Sequence, residues 1–113
     1  MTEANVSTKL RVELSKGGAK VWKVSDRFHA SRPDLVMCYQ GRYIAIETKI
    51  TPNKPTKAQL QELYEIVAAE GEAYVCSYHK GTKRYSLLHV NHGHTICFVD
   101  YKGLCEWLLR PLS

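Results

Sequence analysis

Asp34, Glu47 and Lys49 are the residues whose types and spacing could do chemistry. Asp34 follows Pro33, and Glu47 and Lys49 flank Thr48. Two apolar runs, 35–39 and 43–50, are separated by Gln40-Gly41-Arg42, the pattern of a β-hairpin. With Gln40-Gly41 as a two-residue turn, Tyr39 pairs with Arg42 and the register runs down to Asp34 opposite Glu47. Strand side chains alternate, so Ile44, Ile46, Thr48 and Ile50 take one face, and Tyr43, Ala45, Glu47 and Lys49 the other. Opposed residues have Cβ atoms ~4.5–5.5 Å apart, and like charges there destabilise a sheet. A cation between the two carboxylates removes that cost. Lys49 stands at the edge of the same site.

The arrangement Pro33-Asp34 followed by Glu47-Thr48-Lys49 resembles the signature of the PD-(D/E)XK nuclease superfamily. The chain is most similar to its small VRR-NUC type and to phage endonuclease-I-like Holliday junction resolvases, over residues 10–78. The resemblance implies an α/β protein with a mixed sheet. Its core would be restriction-endonuclease-like, αβββαβ, with C-terminal β and α additions, in a single domain over 1–113. It implies Mg²⁺-dependent hydrolysis of phosphodiester bonds in DNA, with Mn²⁺ able to substitute. Asp34, Glu47 and the backbone carbonyl of Thr48 would hold the ion. Mg²⁺ suits such a site because it takes carboxylate oxygens and keeps several waters. Lys49, flanked by two acids, is read as an electrostatic and positioning group. The family also places an acid on a preceding helix and a Gln on the following one, here Glu13 and Gln59. Gln59 and Tyr64 are five apart, which departs from the RecB-like Gln–Tyr spacing of four.

The elements that must position these residues are legible around them. Residues 2–16 read as a helix with Thr2 as N-cap and Val6, Leu10, Glu13 and Leu14 on one face, stopped by Gly17-Gly18. Glu13 is either a boundary residue reaching water or a third carboxylate for the metal; Glu3 lies too early in the helix. Residues 20–24 alternate as a short strand. Thr56 and Gln59 form a capping box that opens a helix with Leu60, Leu63, Tyr64 and Val67 inward, so Gln59 has a structural role available beside the family-derived one. Residues 72–78 read as a central strand parallel to the Glu47 strand, since a helix crosses between them. Strands over 84–90 and 95–99 follow, then a last helix capped by Asp100.

The net charge of +5 favours a polyanionic partner, with Arg27, Arg32, Lys54 and Lys57 as candidate phosphate contacts. No apolar run is long enough to span a bilayer, and the N-terminus lacks a signal-peptide pattern, so an intracellular, cytoplasmic location is expected. Cys38, Cys76, Cys97 and Cys105 each lie in an apolar run and read as buried free thiols. His89, His92, His94 and Cys97 have ligand types but no zinc spacing, and read as a polar turn. Apolar residues crowd 84–109, which suggests a homodimer interface there, or a cap on the sheet of a monomer. Two alternatives stand beside the nuclease. One is a non-catalytic basic DNA-binding or scaffold module. The other is a metal-independent RNA nuclease using His29 and Lys49, in which the carboxylate pair has no purpose.

Overall fold

The structure, a computed structural model, describes residues 1–24 and 32–112. Its elements are α1 (Glu3–Lys16), β1 (Lys20–Lys23), β2 (Leu35–Tyr39), β3 (Arg42–Ile50), α2 (Lys57–Ala68), β4 (Glu72–His79), β5 (Arg84–His89), β6 (His94–Phe98) and α3 (Tyr101–Leu108). The six strands form one sheet in chain order. β3 and β4 are parallel, and every other neighbouring pair is antiparallel. The core order αβββαβ with C-terminal β and α additions is the one expected from sequence.

Local chemistry sets the boundaries. Thr2 caps α1 and exchanges hydrogen bonds with Asn5. Thr56 and Gln59 close a capping box on α2, and the Asp100 side chain accepts from the Gly103 N–H at 2.9 Å at the start of α3. The β2–β3 turn has Gln40 at φ 50° and Gly41 at φ 78°. Two successive positive φ values are those of a type I′ turn, whose twist matches a two-residue hairpin. Tyr39 pairs with Arg42 as the turn requires.

The sheet divides the core. On one face Leu35, Met37, Ile44, Ile46, Tyr74, Cys76 and Leu87 pack against Val6, Leu10 and Leu14 of α1 and Leu104 and Leu108 of α3. On the other, Ala45, Ala73 and Val75 meet Leu63 of α2. Leu10 is fully buried, and Leu10→Ala would cost about 2–5 kcal/mol. Arg42 locks the turn to the C-terminal helix. It meets Glu72 at 2.7 and 2.8 Å and donates to the carbonyls of Leu108 and Arg110 at 3.0 and 3.4 Å.

Two expectations need correction. Cys76 and Cys105 are buried free thiols, but Cys38 and Cys97 are exposed. Alternation turns Cys38 away from the inward Met37, and Cys97 lies on the edge strand β6. The apolar residues of 84–109 are also largely spent within the chain. Tyr85, Leu87, Leu104 and Leu108 are core residues, and Phe98, Trp107 and Leu109 pack against them. They cap the sheet and leave little surplus for an interface. Among the described residues no helix is long and apolar enough to cross a membrane.

Candidate active site

The hairpin carries the acids to one end of its ladder. Leu35 opposite Ile46 is the last pair there, so Asp34 comes next and meets the position of Glu47. The Val24 N–H donates to the Asp34 carbonyl at 2.8 Å, fixing this residue where β2 begins. The Asp34 carboxylate is held as well. Its Oδ2 accepts from the Thr48 backbone N–H at 2.9 Å and from the Thr48 hydroxyl at 2.6 Å. Thr48 Oγ1 also lies 2.9 Å from Ser7 Oγ. A threonine hydroxyl has one proton. Since Thr48 donates it to Asp34, Ser7 is the donor to Thr48. The chain Ser7→Thr48→Asp34 thus runs from α1 through the buried side of β3 to the site.

Glu47 points to the opposite face, as alternation demands. It is 2% exposed. Its Oε2 lies 3.9 Å from Lys49 Nζ, an ion pair too long to be a hydrogen bond. Its Oε1 is buried without a hydrogen-bond partner. Burial, and then the nearby Asp34 charge, push the Glu47 carboxyl up to about 8, with Lys49 opposing. An unpartnered buried carboxylate oxygen is costly, and a divalent cation satisfies it. The donor set fits such an ion: two acids from adjacent strands, hard oxygens throughout. Among the described residues no group of three or more His, Cys, Asp or Glu side chains could hold a metal. Two carboxylates leave the remaining positions to backbone oxygen and water, the shell that Mg²⁺ prefers.

The other candidates are placed unevenly. Glu13 does not join the site. Ser7 is the α1 residue that reaches Thr48, and Glu13 lies about 9 Å further along the helix axis. There it lines a groove with Lys16, Lys102, Cys105 and Glu106, between α1 and α3. Glu3 is the α1 acid at the other end, beside Ile50, Thr51 and Pro52, where β3 ends. Gln59 accepts from the Thr56 N–H at 2.9 Å, so its side chain serves the cap. Lys54 and Lys57 are exposed on the loop after β3 and on the first turn of α2, and Arg32 is exposed just before Asp34. Arg27 and His29 lie outside the described residues. Sequence reasoning missed Ser7 and set aside Glu3. The signal was there: Glu3, Ser7, Leu10 and Leu14 follow helical spacing on one stripe, and Ser7 is a polar residue within it.

The histidines form a stacked turn. The His89 ring lies on Tyr74, with centroids 4.6 Å apart, and meets His92 at 4.4 Å and His94 at 6.0 Å. Burial pushes His89 down to about 4. Their place is the β5–β6 turn, four strands across the sheet from Asp34.

No family model matches the chain, and neither does any curated protein. Solved structures do. One is Archaeoglobus fulgidus Hjc, a Holliday junction resolvase from an archaeal hyperthermophile. It is 24% identical, with TM-score 0.60, over 76% of this chain and 74% of that one. Another is a VRR_NUC domain, 24% identical with TM-score 0.57, over 65% of this chain and 81% of its own. The fold is theirs. This restriction-endonuclease-like fold is the one that Pro33-Asp34 and Glu47-Thr48-Lys49 pointed to; the expected VRR-NUC type is among its neighbours, and the Holliday junction resolvase among them is archaeal rather than of the expected phage type.

Proposed function

We propose that this chain is a metal-dependent DNA endonuclease that hydrolyses phosphodiester bonds in branched DNA. The observation that carries the reading is the Glu47 carboxylate, buried beside Asp34 and Lys49 with Oε1 unpartnered. A structural salt bridge gives no reason to bury one acid against another. The likeness to a resolvase and a VRR_NUC domain supports the reading through the shared fold.

Asp34, Glu47 and the Thr48 backbone carbonyl would hold Mg²⁺, with Mn²⁺ as substitute. A divalent ion held there would make a water more acidic and offer positive charge to the phosphoryl oxygens. Asp34 is aimed by its two bonds from Thr48, so it need not reorganise when the ion arrives. Glu47 would have to lose its proton to hold the ion, because burial and the Asp34 charge push its carboxyl up to about 8. Lys49 carries positive charge to the place where negative charge develops on the phosphorus oxygens. Glu3, on α1 beside the end of β3, is better placed than Glu13 to support the site from the helix without being a direct ligand. Lys54, Lys57 and Arg32 hold phosphates on either side, which gives affinity without sequence preference.

Resolving a four-way junction takes two nicks, and each chain carries one acid cluster. The active form is therefore a homodimer, C₂ symmetry being the commonest way to supply two copies. Cleavage of linear, flapped and four-way DNA with Mg²⁺ or with excess EDTA tests the reading. Metal-dependent cuts favouring the branched substrates are expected, and robust cleavage in EDTA would refute it. Sedimentation at micromolar concentration tests the dimer. A monomer that makes single nicks reassigns the chain to a simple nicking enzyme.

A further inference from the structure

The open edge of the sheet holds a feature that cleavage chemistry does not use. A groove of about 270 Å³ lies on the Glu47 side of the sheet, between β1–β2 and α2. Trp22, Val24, Val36 and Tyr43 line it from β1–β3 and the residue after β1, Glu62 and Ile66 from α2, and Arg32 and Pro33 from the segment before β2. Trp22 is 49% exposed and Tyr43 50%. The register ties the groove to the acids. Trp22 pairs with Val36, and Val24 bonds to the Asp34 backbone at 2.8 Å. The groove therefore begins one strand away from the proposed site of cleavage.

Two half-exposed aromatic rings on one groove cost the free protein apolar surface. They match the way proteins bind unpaired nucleic acid, where bases stack on aromatic faces and cations follow the backbone. Cations are present along the groove. Lys20 Nζ lies 5.7 Å from the centre of the Trp22 ring, Lys20 and Lys23 are exposed on the same strand, and Arg32 lines the groove itself. The charged side chain from α2 is Glu62, which repels phosphate and accepts from a base amino group. A base is thus favoured beside Glu62, and the phosphates beside Lys20 and Lys23.

We infer that this groove is a subsite for an unpaired nucleobase of the DNA strand whose phosphate lies at Asp34 and Glu47. The inference rests on the nuclease reading and extends it to substrate choice. A flapped branch offers an unpaired base beside its junction, as does a four-way junction whose end pair opens, and a perfectly paired duplex offers none. Selection for branches then comes from each chain as well as from the geometry of a dimer.

The test measures binding in the absence of divalent ions, in a Glu47→Gln background. Fluorescence anisotropy compares a duplex carrying an unpaired nucleotide at a flap with a fully paired duplex of equal length. The ratio of the two affinities is the readout. It should favour the unpaired substrate and fall about tenfold in Trp22→Ala, the loss of one stacked base. Tyr43→Ala should lower it too, and Trp22→Phe should keep it, which separates stacking from misfolding. An unchanged ratio, or an equal loss on both substrates, overturns the subsite. So does a wild-type dimer that becomes monomeric in Trp22→Ala, since the groove would then be a contact between copies. Protein that binds neither DNA overturns the nuclease reading as well, whereas DNA binding indifferent to Trp22 overturns the subsite alone.

Discussion

Asp34 is tied to Thr48 twice, once by the backbone N–H and once by the hydroxyl. The middle residue of Glu47-Thr48-Lys49 is therefore more than a spacer. Thr48→Val keeps the shape and the backbone bond but removes the hydroxyl, leaving Ser7 without its acceptor on the buried side. Stability should fall by about 1–2 kcal/mol in urea unfolding. Cleavage should fall about 10–100-fold, the usual cost of losing a group that orients a metal ligand. Thr48→Ser should restore most of both.

Glu47→Gln should abolish cleavage and leave DNA binding intact or tighter, since it removes a ligand and a charge that repels phosphate. It should also stabilise the metal-free protein at neutral pH. The folded Glu47 holds its proton up to about 8, whereas the unfolded chain releases it near 4.5. Between those values the folded state binds more protons, so stability falls as pH rises. Urea midpoints of the metal-free protein should drop from pH 5 to pH 8 in the wild type and drop less in Glu47→Gln. A wild-type midpoint that climbs through this window would contradict the burial of Glu47 as a strained acid.

Glu3 and Glu13 separate two placements of the helical acid. Glu3→Gln should lower cleavage about 10–100-fold if it supports the metal site, and Glu13→Gln should leave the rate within twofold of wild type. Rate constants from single-turnover cleavage decide it. The reverse order would mean that α1 crosses the sheet differently from the path fixed by Ser7 and Thr48.

Arg42→Met should destabilise by about 3 kcal/mol, because Glu72 would keep its charge in a partly buried site with the Tyr74 hydroxyl, at 2.8 Å, in place of a cation. For a chain of this size that lowers Tm by roughly 15 °C. Burial is the largest influence and alone would raise the Glu72 pKa, but the hydrogen bonds from Arg42 and Tyr74 and the Arg42 charge together outweigh it, and the pKa falls. The pair therefore contributes stability above the ordinary carboxyl range and loses it as the solution becomes acidic. Thermal unfolding at pH 7 and pH 4 should show a smaller gap between variant and wild type at the lower pH.

What could be read from sequence was local. The hairpin register follows from alternation and a two-residue turn. The caps at Thr2, Thr56 and Asp100 follow from side chains that reach backbone three residues on. The parallel β3–β4 pair follows from the helix between them. Tertiary placement was not local. Glu13 and Glu3 share the α1 stripe, and only the line on which the helix crosses β3 decides which end meets the site. Cys38 and Cys97 look buried by neighbourhood, but β2 and β6 have outward sides that no helix covers. The apolar wealth of 84–109 resembled an interface because the partner of α3, the far end of α1, lies ninety residues earlier in the chain.

That pairing of α1 with α3 orders events during synthesis. α1 and α3, made about ninety residues apart, cover the same face of the sheet, with Leu10 and Leu14 in one core with Leu104 and Leu108. A nascent chain that has emerged only through β6 holds Asp34, Glu47 and Lys49, yet half of the roof over their sheet is absent. The Arg42 side chain also waits for the carbonyls of Leu108 and Arg110. The sheet that carries Asp34, Glu47 and Lys49 is therefore fully covered on that face only once α3 has been made and has docked beside α1.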